Sequence, residues 1–237
     1  MKTAVVTGGS RGIGLGIVRM LVSRNYQVIA SFAHDEIGAK QVQQELKGQA
    51  MFFKADHSDR KQTYDFVNYI RQQTAEVNCV ICNAGITIRH GLVDTTDQEW
   101  DAMMEVAVNS HFVLLRELYP LIQDNSRIIF TGSAMGIYPH ASILGYGVSK
   151  AAVHGMVRNL VKVFEQKQTT VNAVAPGFVE TDWQKDKPKT IRERICQKTA
   201  IHRFATIDEI VHAYSCCLDN DFINGSIIEV NGGYSYQ

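Results

Sequence analysis

Thr3-Ala-Val-Val-Thr7-Gly8-Gly-Ser-Arg-Gly12-Ile-Gly14 decides the fold: a short apolar run breaks into glycines and passes at once into Ile17, Val18, Met20 and Leu21 at helical spacing. Strand, turn and helix follow one another without a linker. Glycine permits the tight turn and lets backbone N–H groups approach a pyrophosphate at the positive end of the helix. The spacing of Gly8, Gly12 and Gly14 is G-x-x-x-G-x-G, not the commoner G-x-G-x-x-G, so the strand-turn-helix context carries the reading.

The same rhythm continues outward from this turn. Strand-like runs at 3–7, 27–32, 50–54, 77–82, 127–131, 170–175 and 226–230 alternate with amphipathic stretches at 13–23, 39–46, 62–73, 98–118, 146–164 and 207–219. Such alternation predicts an α/β protein, a doubly wound parallel sheet with right-handed crossovers and helices on both faces. No repeat, low-complexity tract or Pro/Gly-rich linker divides 1–237, so a single domain is expected. Segment 183–204, containing Lys185-Asp-Lys-Pro-Lys189, interrupts the rhythm just after a strand, where sheets of this class place ligand-covering insertions. A solvated surface excursion would carry the same charges.

Composition narrows the function. A chain of 237 residues that is 45% hydrophobic and 20% charged buries a substantial core. Lys+Arg and Asp+Glu both total 24, so no global field draws nucleic acid or an anionic membrane. The N-terminus reaches glycine too early for a signal h-region and no apolar run approaches a membrane span, which predicts a cytoplasmic protein. Five cysteines, an odd number without an export signal, argue against a disulfide framework. Cys79-Val-Ile-Cys82 falls inside a strand and is expected to supply core thiols without a redox or zinc role; Cys216-Cys217 is expected as buried helix. No metal site is expected.

Tyr146-Gly-Val-Ser-Lys150 follows Ser133 and places a phenol and an ammonium at i and i+4, one face of a helix. Val148, Ala151, Ala152, Gly155, Met156, Val157, Leu160, Val161 and Phe164 recur at helical spacing, with Lys150, Arg158 and Lys162 off their stripe. A free tyrosine, with a pKa of about 10, is a poor base at neutral pH, but a nearby cation favours its phenolate. The pair is arranged to move a proton. At the end of the second strand, Ser31-Phe32-Ala33 offers no acid for a ribose 2′-OH, and Asp35 comes three residues after Phe32. Arg11, helped by His34, can meet a 2′-phosphate instead, so NADP(H) is expected over NAD(H).

Taken together, Thr7-Gly-Gly-Ser-Arg-Gly-Ile-Gly14, Asp56, Asn83-Ala-Gly85, Asn109, Ser133, Tyr146-x-x-x-Lys150, Pro176-Gly177, Thr181 and Asn231-Gly-Gly233 resemble the short-chain dehydrogenase/reductase family over nearly the whole chain. The resemblance implies a compact, Rossmann-like oxidoreductase that interconverts a carbonyl and a secondary alcohol. It implies cofactor contacts from Gly8, Ser10, Arg11, Gly12, Ile13 and Gly14 in the turn, from Asp56 to adenine, and from Asn83, Ala84 and Gly85 along the cofactor. Pro176, Gly177 and Val179 would line the nicotinamide pocket, and Thr181 would bond its carboxamide or the phosphates. Four residues carry catalysis in this reading. Ser133 orients the carbonyl, and Tyr146 exchanges the proton. Lys150 binds the nicotinamide ribose and lowers the tyrosine pKa, and Asn109 holds the water through which protons reach Lys150. Two hydroxyl donors fixed where charge develops on the carbonyl oxygen stabilise the transition state more than the ground state.

Asn83-Ala-Gly-Ile-Thr87 and Val171-Asn-Ala-Val-Ala-Pro-Gly-Phe-Val-Glu-Thr-Asp182 resemble the 3-oxoacyl-acyl-carrier-protein reductases of that family. Ile122-Gln-Asp-Asn-Ser-Arg127, where those enzymes present a basic surface, is short and nearly stripped of positive charge, though Lys167 remains. Attraction to an acidic carrier protein is thereby weakened. Phe112 stands where glycine is common, three residues after Asn109. Ile86, Ile88, Arg89, His90, Ile137, Tyr138, His140, Ile143, Leu144 and Trp183 are expected to face a mid-sized keto or hydroxy substrate with an apolar body and an acidic end; in the competing reading Arg89, His90 and His140 face water. The family also implies a homotetramer or homodimer through the helices in 98–118 and 146–164. The alternative function is a catalytically silent dinucleotide-binding regulatory or scaffold protein; a nucleotide-sugar epimerase would need a larger C-terminal domain.

Overall fold

Parallel strands covered on both faces must be apolar on both, and β1 (Lys2–Val6) shows the consequence. Ala4 and Val6 enter one core and Val5 the opposite one, all three fully buried. The computed structural model describes residues 1–234. The remaining strands are β2 (Tyr26–Phe32), β3 (Ala50–Lys54), β4 (Val77–Cys82), β5 (Ile122–Thr131), β6 (Thr170–Pro176) and β7 (Ile227–Val230). Among the described residues they form one seven-stranded sheet, parallel throughout, in the order β3-β2-β1-β4-β5-β6-β7. The strand order reverses between β1 and β4, and such a switch point opens a crevice at the carboxyl ends of the strands.

The helices are α1 (Gly12–Ser23), α2 (Glu36–Glu45), α3 (Arg60–Gln73), α4 (Asp97–Met104), α5 (Ser110–Leu118), α6 (Leu144–Val163), α7 (Asp182–Lys185), α8 (Lys189–Gln197) and α9 (Ile207–Asp219). Helices α1 and α9 cover one face through Ile17, Val18, Leu21, Ile210 and Tyr214. Helices α3, α5 and α6 cover the other through Phe66, Ile70, Leu114, Leu118, Val153 and Val157.

Boundaries move where polar side chains intervene. Asp35 accepts from Gly38 N–H and Asp59 from Lys61 N–H, so α2 and α3 begin at these caps, ahead of their first apolar residues. Stretch 98–118 is not one helix: a π-helical turn at Glu105–Asn109 separates α4 from α5. Strand β5 starts five residues earlier than expected, after which its register against β4 shifts; Asn125 adopts φ +57° and Ser126 Oγ donates to Val77 O. Segment 183–204, expected to be irregular, carries most of α7 and all of α8.

Helix α6 also differs from its expected stripe. Lys150 is only 2% exposed, while Val148 and Ala151 stand exposed, because the inward row is Gly145, Ser149, Lys150, Val153, His154 and Val157. Phe112 is exposed as well, with the Arg116 guanidinium 5.3 Å from its ring centre. Cys79 and Cys82, three apart on a strand, enter opposite cores, and burial pushes both thiols up, Cys79 to about 12. Cys217 is buried but Cys216, its neighbour on α9, is exposed, contrary to the expected buried pair.

Gly16 lets α1 and α9 approach closely: a Cβ there would lie 2.6 Å from Ile207 Cγ2 and 2.9 Å from Val211 Cγ2. Gly16→Ala gains roughly 1 kcal/mol of helix propensity but overpacks two β-branched methyls that cannot swing away, at a cost of about 1–3 kcal/mol. The variant is therefore expected to unfold at lower urea concentration than the parent; an increased midpoint would contradict this packing.

Candidate active site

Polar residues stand at the carboxyl ends of otherwise apolar strands: Thr7 after β1, Ser31 in β2, Asn83 after β4 and Thr131 ending β5. Asn83 Nδ2 donates to the carbonyls of Thr7 and Gly8, both at 3.0 Å, while its Oδ1 accepts from Thr131 Oγ1 at 3.0 Å. With the threonine proton committed there, Tyr214 on α9 donates its hydroxyl to Thr131 Oγ1 at 2.6 Å. The glycine turn is thus fastened to β4, β5 and α9.

Two buried histidines extend this support. Thr7 Oγ1 accepts from the N–H groups of Asn83 and Ala84 at 2.9 Å, leaving its proton for His111 Nε2 at 3.1 Å. His111 Nδ1 in turn donates to the carbonyl of Ala107, in the π-helical turn, at 2.8 Å. Burial lowers His111 to about 3, so it is neutral. His57 bonds Ser31 Oγ at 2.8 Å and Thr63 Oγ1 at 3.0 Å, and Ser31 Oγ accepts from Gly8 N–H. Burial lowers His57 to about 4.

The glycine turn has the shape of an anion cradle. Gly8 adopts φ +67°, and a Cβ on Gly14 would fall 2.0 Å from the carbonyl oxygen of Gly8. Arg11 is the N-cap of α1 but makes no side-chain cap, so the first N–H groups of the helix stay available to a ligand. Thr181, after β6, crosses over the turn: a Cβ on Gly12 would lie 3.7 Å from its methyl. Gln184, also lining the cleft, has a buried Oε1 without a partner among the described residues. These features fit a dinucleotide.

At the other end of the cleft, Arg11 is exposed and His34 Nε2 lies 3.9 Å from Asp56 Oδ2. Burial raises Asp56, but the backbone and hydroxyl of Ser58, at 2.9 and 2.7 Å, outweigh it and keep the carboxyl below its ordinary value.

Ser133, Tyr146 and Lys150 line the same cleft, whose volume is about 870 Å³. Lys150 Nζ donates to the carbonyl of Thr131 at 2.6 Å, and burial lowers it to about 8. Burial raises Tyr146 above the ordinary phenol value, with a hydrogen bond to Ser133 opposing it. The Lys150 ammonium is turned to the Thr131 carbonyl and sits 5.7 Å from the Tyr146 ring centre.

Ser133 Oγ accepts from Met135 N–H at 3.1 Å, and Ser133 N–H donates to His154 Nε2 at 3.4 Å. The His154 ring fits because Gly132 and Gly136 have no side chains: a Cβ on either would lie 2.3 Å from Nε2 or 3.0 Å from Cε1. Burial lowers His154 to about 4.

The cleft gathers Gly8, Ser10, Arg11, Gly12, Ile13 and Gly14 from the turn and Asp56 from the end of β3. Asn83, Ala84 and Gly85 after β4 and Pro176, Gly177, Val179 and Thr181 around the end of β6 complete this set. Asn109 is not among them. Its Nδ2 donates to Glu105 Oε2 at 2.8 Å, and Glu105 is held by a bidentate Arg60 on the surface. Asn109 closes the π-helical turn, which packs against α6.

Of the expected substrate-facing residues, Ile86, Arg89, His140, Ile143 and Trp183 line the cleft, whereas Ile88, His90, Ile137, Tyr138 and Leu144 do not. His90 pairs with Glu99 and Tyr138 donates to Glu229. Sequence reasoning missed Thr7, Ser31, His57, His111, Thr131, His154 and Tyr214; a polar residue closing an apolar strand was the available signal for Thr7, Ser31 and Thr131.

A family model described as short chain dehydrogenase matches residues 2–192. The chain is 32% identical over 236 residues to the 3-oxoacyl-[acyl-carrier-protein] reductase of Salmonella typhimurium, covering 98% of this chain and 96% of that protein. Its structure is similar to a blue fluorescent protein from a metagenomic library in complex with NADPH, with a TM-score of 0.93 at 27% identity, covering 99% and 98% of the two chains. It is also similar to a short chain dehydrogenase from Burkholderia cenocepacia in complex with NADP, with a TM-score of 0.92 at 26% identity, covering 98% and 97%.

The buried histidines have a consequence for acid stability. His57, His111 and His154 titrate near 4, 3 and 4 when folded, against 6.5 when free, so between those values the unfolded chain binds more protons. Their stabilisation is fully present above pH 6.5 and is lost as pH falls towards 4, on the order of 2 kcal/mol for each histidine by pH 5. Urea midpoints measured from pH 7.5 to 5 should fall steadily; a flat series would refute the neutral, buried assignment.

Proposed function

The chain belongs to the short-chain dehydrogenase family, an NAD(P)-dependent oxidoreductase acting on CH–OH groups, and from that membership we propose that it prefers NADP(H) and reduces a small keto compound at Ser133, Tyr146 and Lys150. The observation that carries the proposal is the convergence of these three side chains on the cleft that also holds the glycine cradle. A bound nicotinamide would supply or accept the hydride.

The chain's own part is proton transfer and orientation. Ser133 and Tyr146 are hydroxyl donors to the carbonyl oxygen, and Tyr146 delivers the proton that completes the alcohol. Lys150, at about 8, stays an ammonium at neutral pH and favours the phenolate left behind. Asn109, at the end of the π-helical turn, would hold the water through which protons reach Lys150. Arg11 would take the 2′-phosphate: Ser31, Phe32, Ala33 and His34 line the cleft beside it, and none is an acid. Residues 183–204 would cover the substrate, a reading supported by Trp183, Lys187, Ile191 and Lys198 along the cleft.

A free small molecule suits the surface better than an acidic carrier. Arg127 is held by Asp221 and by the carbonyls of Asn125, Ser126 and Leu218. Lys167 Nζ donates to Ile122 O at 2.7 Å and stands 5.1 Å from the Tyr119 ring centre. Neither cation is free to meet a partner.

NADPH consumption should be screened over 3-oxoacyl thioesters, keto acids, keto-steroids, keto-sugars and simple ketones. On any ketone accepted, Tyr146→Phe is expected to lower kcat by roughly a hundredfold or more, with NADPH still bound when followed by nucleotide fluorescence; retained turnover would overturn the role of Tyr146. Arg11→Ala should weaken NADPH by roughly tenfold or more while sparing NADH. Equal affinity of the parent for both nucleotides would sink the NADP assignment.

A further inference from the structure

Four permanent cations line the substrate end of the cleft from separate stretches: Arg89 after β4, Lys187 between α7 and α8, Arg194 within α8 and Lys198 at its C-cap. His140, from the loop after Ser133, joins them. Among the described residues none of the four cations has a carboxylate partner, and Asp182 is the one acid lining this end. Neighbouring cations do find partners: Arg192 pairs with Glu180 and Lys189 with Glu193. Arg89 acts on Lys187, and Lys187 and Lys198 both act on His140. Burial lowers Lys187, and Arg89 and Arg192 lower it further; burial lowers His140, followed by Lys198 and Lys187. Like charges gathered at a concave, half-dry lip repel, and an anion seated among them relieves that repulsion.

We propose that Arg89, Lys187 and Lys198 form an anion-binding lip, so that the substrate is a keto compound with a carboxylate end. The proposal rests on the reductase reading above. Ile86, Ile143, Trp183 and Ile191 line the same end and fit an apolar body, and the Trp183 ring lies 6.5 Å from that of Tyr146. Carbonyl at Tyr146, apolar body on Trp183 and carboxylate at the lip make one binding mode.

The test compares 4-oxopentanoate with its methyl ester, which has the same ketone without the charge. The parent should have the higher kcat/KM for the acid at low salt, by roughly tenfold or more, with the ratio falling as ionic strength rises. Lys187→Gln/Lys198→Gln should lower kcat/KM for the acid several-fold more than for the ester, while NADPH affinity stays nearly constant. An ester reduced as well as the acid, or both lowered equally by the double variant, overturns the lip and leaves the reductase reading intact. A loss of NADPH affinity in the variant assigns the cations to the cofactor and overturns the lip too. If neither ketone is reduced, calorimetric titration of glutarate into the NADPH complex decides: binding lost in the double variant supports the lip, and no binding to the parent overturns it.

Discussion

The primary amide of Asn83 uses its full donor capacity and one acceptor bond within a few ångströms, and the site is arranged around it. Two protons go to the carbonyls of Thr7 and Gly8, and the oxygen accepts from Thr131. A buried amide left with one of these bonds unmade would cost roughly 1–3 kcal/mol, which is why the strands meeting here are held in one relative position. Thr131 is also the residue whose carbonyl receives Lys150. The glycine turn and Lys150 are therefore registered to each other through one threonine.

Around that knot the molecule uses neutral imidazoles where charges would be costly. His57 stands behind the turn at β2, His111 behind Thr7, and His154 behind Ser133. Each ring gives or takes hydrogen bonds from backbone or hydroxyl groups, and burial keeps each uncharged at neutral pH. Among the described residues, Lys150 is then the one ammonium at the centre of the site and has no carboxylate partner. Its field lowers His111 and His154 further and acts on whatever the cleft holds.

Much of this was legible in the sequence, for identifiable reasons. Alternating periods of 2 and 3.6 marked the sheet and helices because both faces of the sheet are apolar, and Gly8, Gly12 and Gly14 marked the turn because few other residues fit it. Starts of α2 and α3 were not legible from apolar period, since Asp35 and Asp59 act through caps that precede it. The π-helical turn at Glu105–Asn109 was not legible, because it changes which face a residue occupies without changing the sequence spacing. Helices α7 and α8 are short and charged and have little apolar period to detect. Histidines 57, 111 and 154 were overlooked because their work is done by buried hydrogen bonds between segments far apart in the chain.

Tyr214 gives the fold a direction in time. The turn at residues 8–14 is fastened through Thr131 by the Tyr214 hydroxyl, which is synthesised some two hundred residues later, and Gly16 packs on Ile207 and Val211 of the same late helix. Loop closure over such a span adds little local entropy but forces the contact to wait for the chain. A nascent chain halted before α9 holds every glycine of its nucleotide turn and lacks the hydroxyl that finishes it. The glycine turn is thus completed only after α9 has been made and can pack back on it.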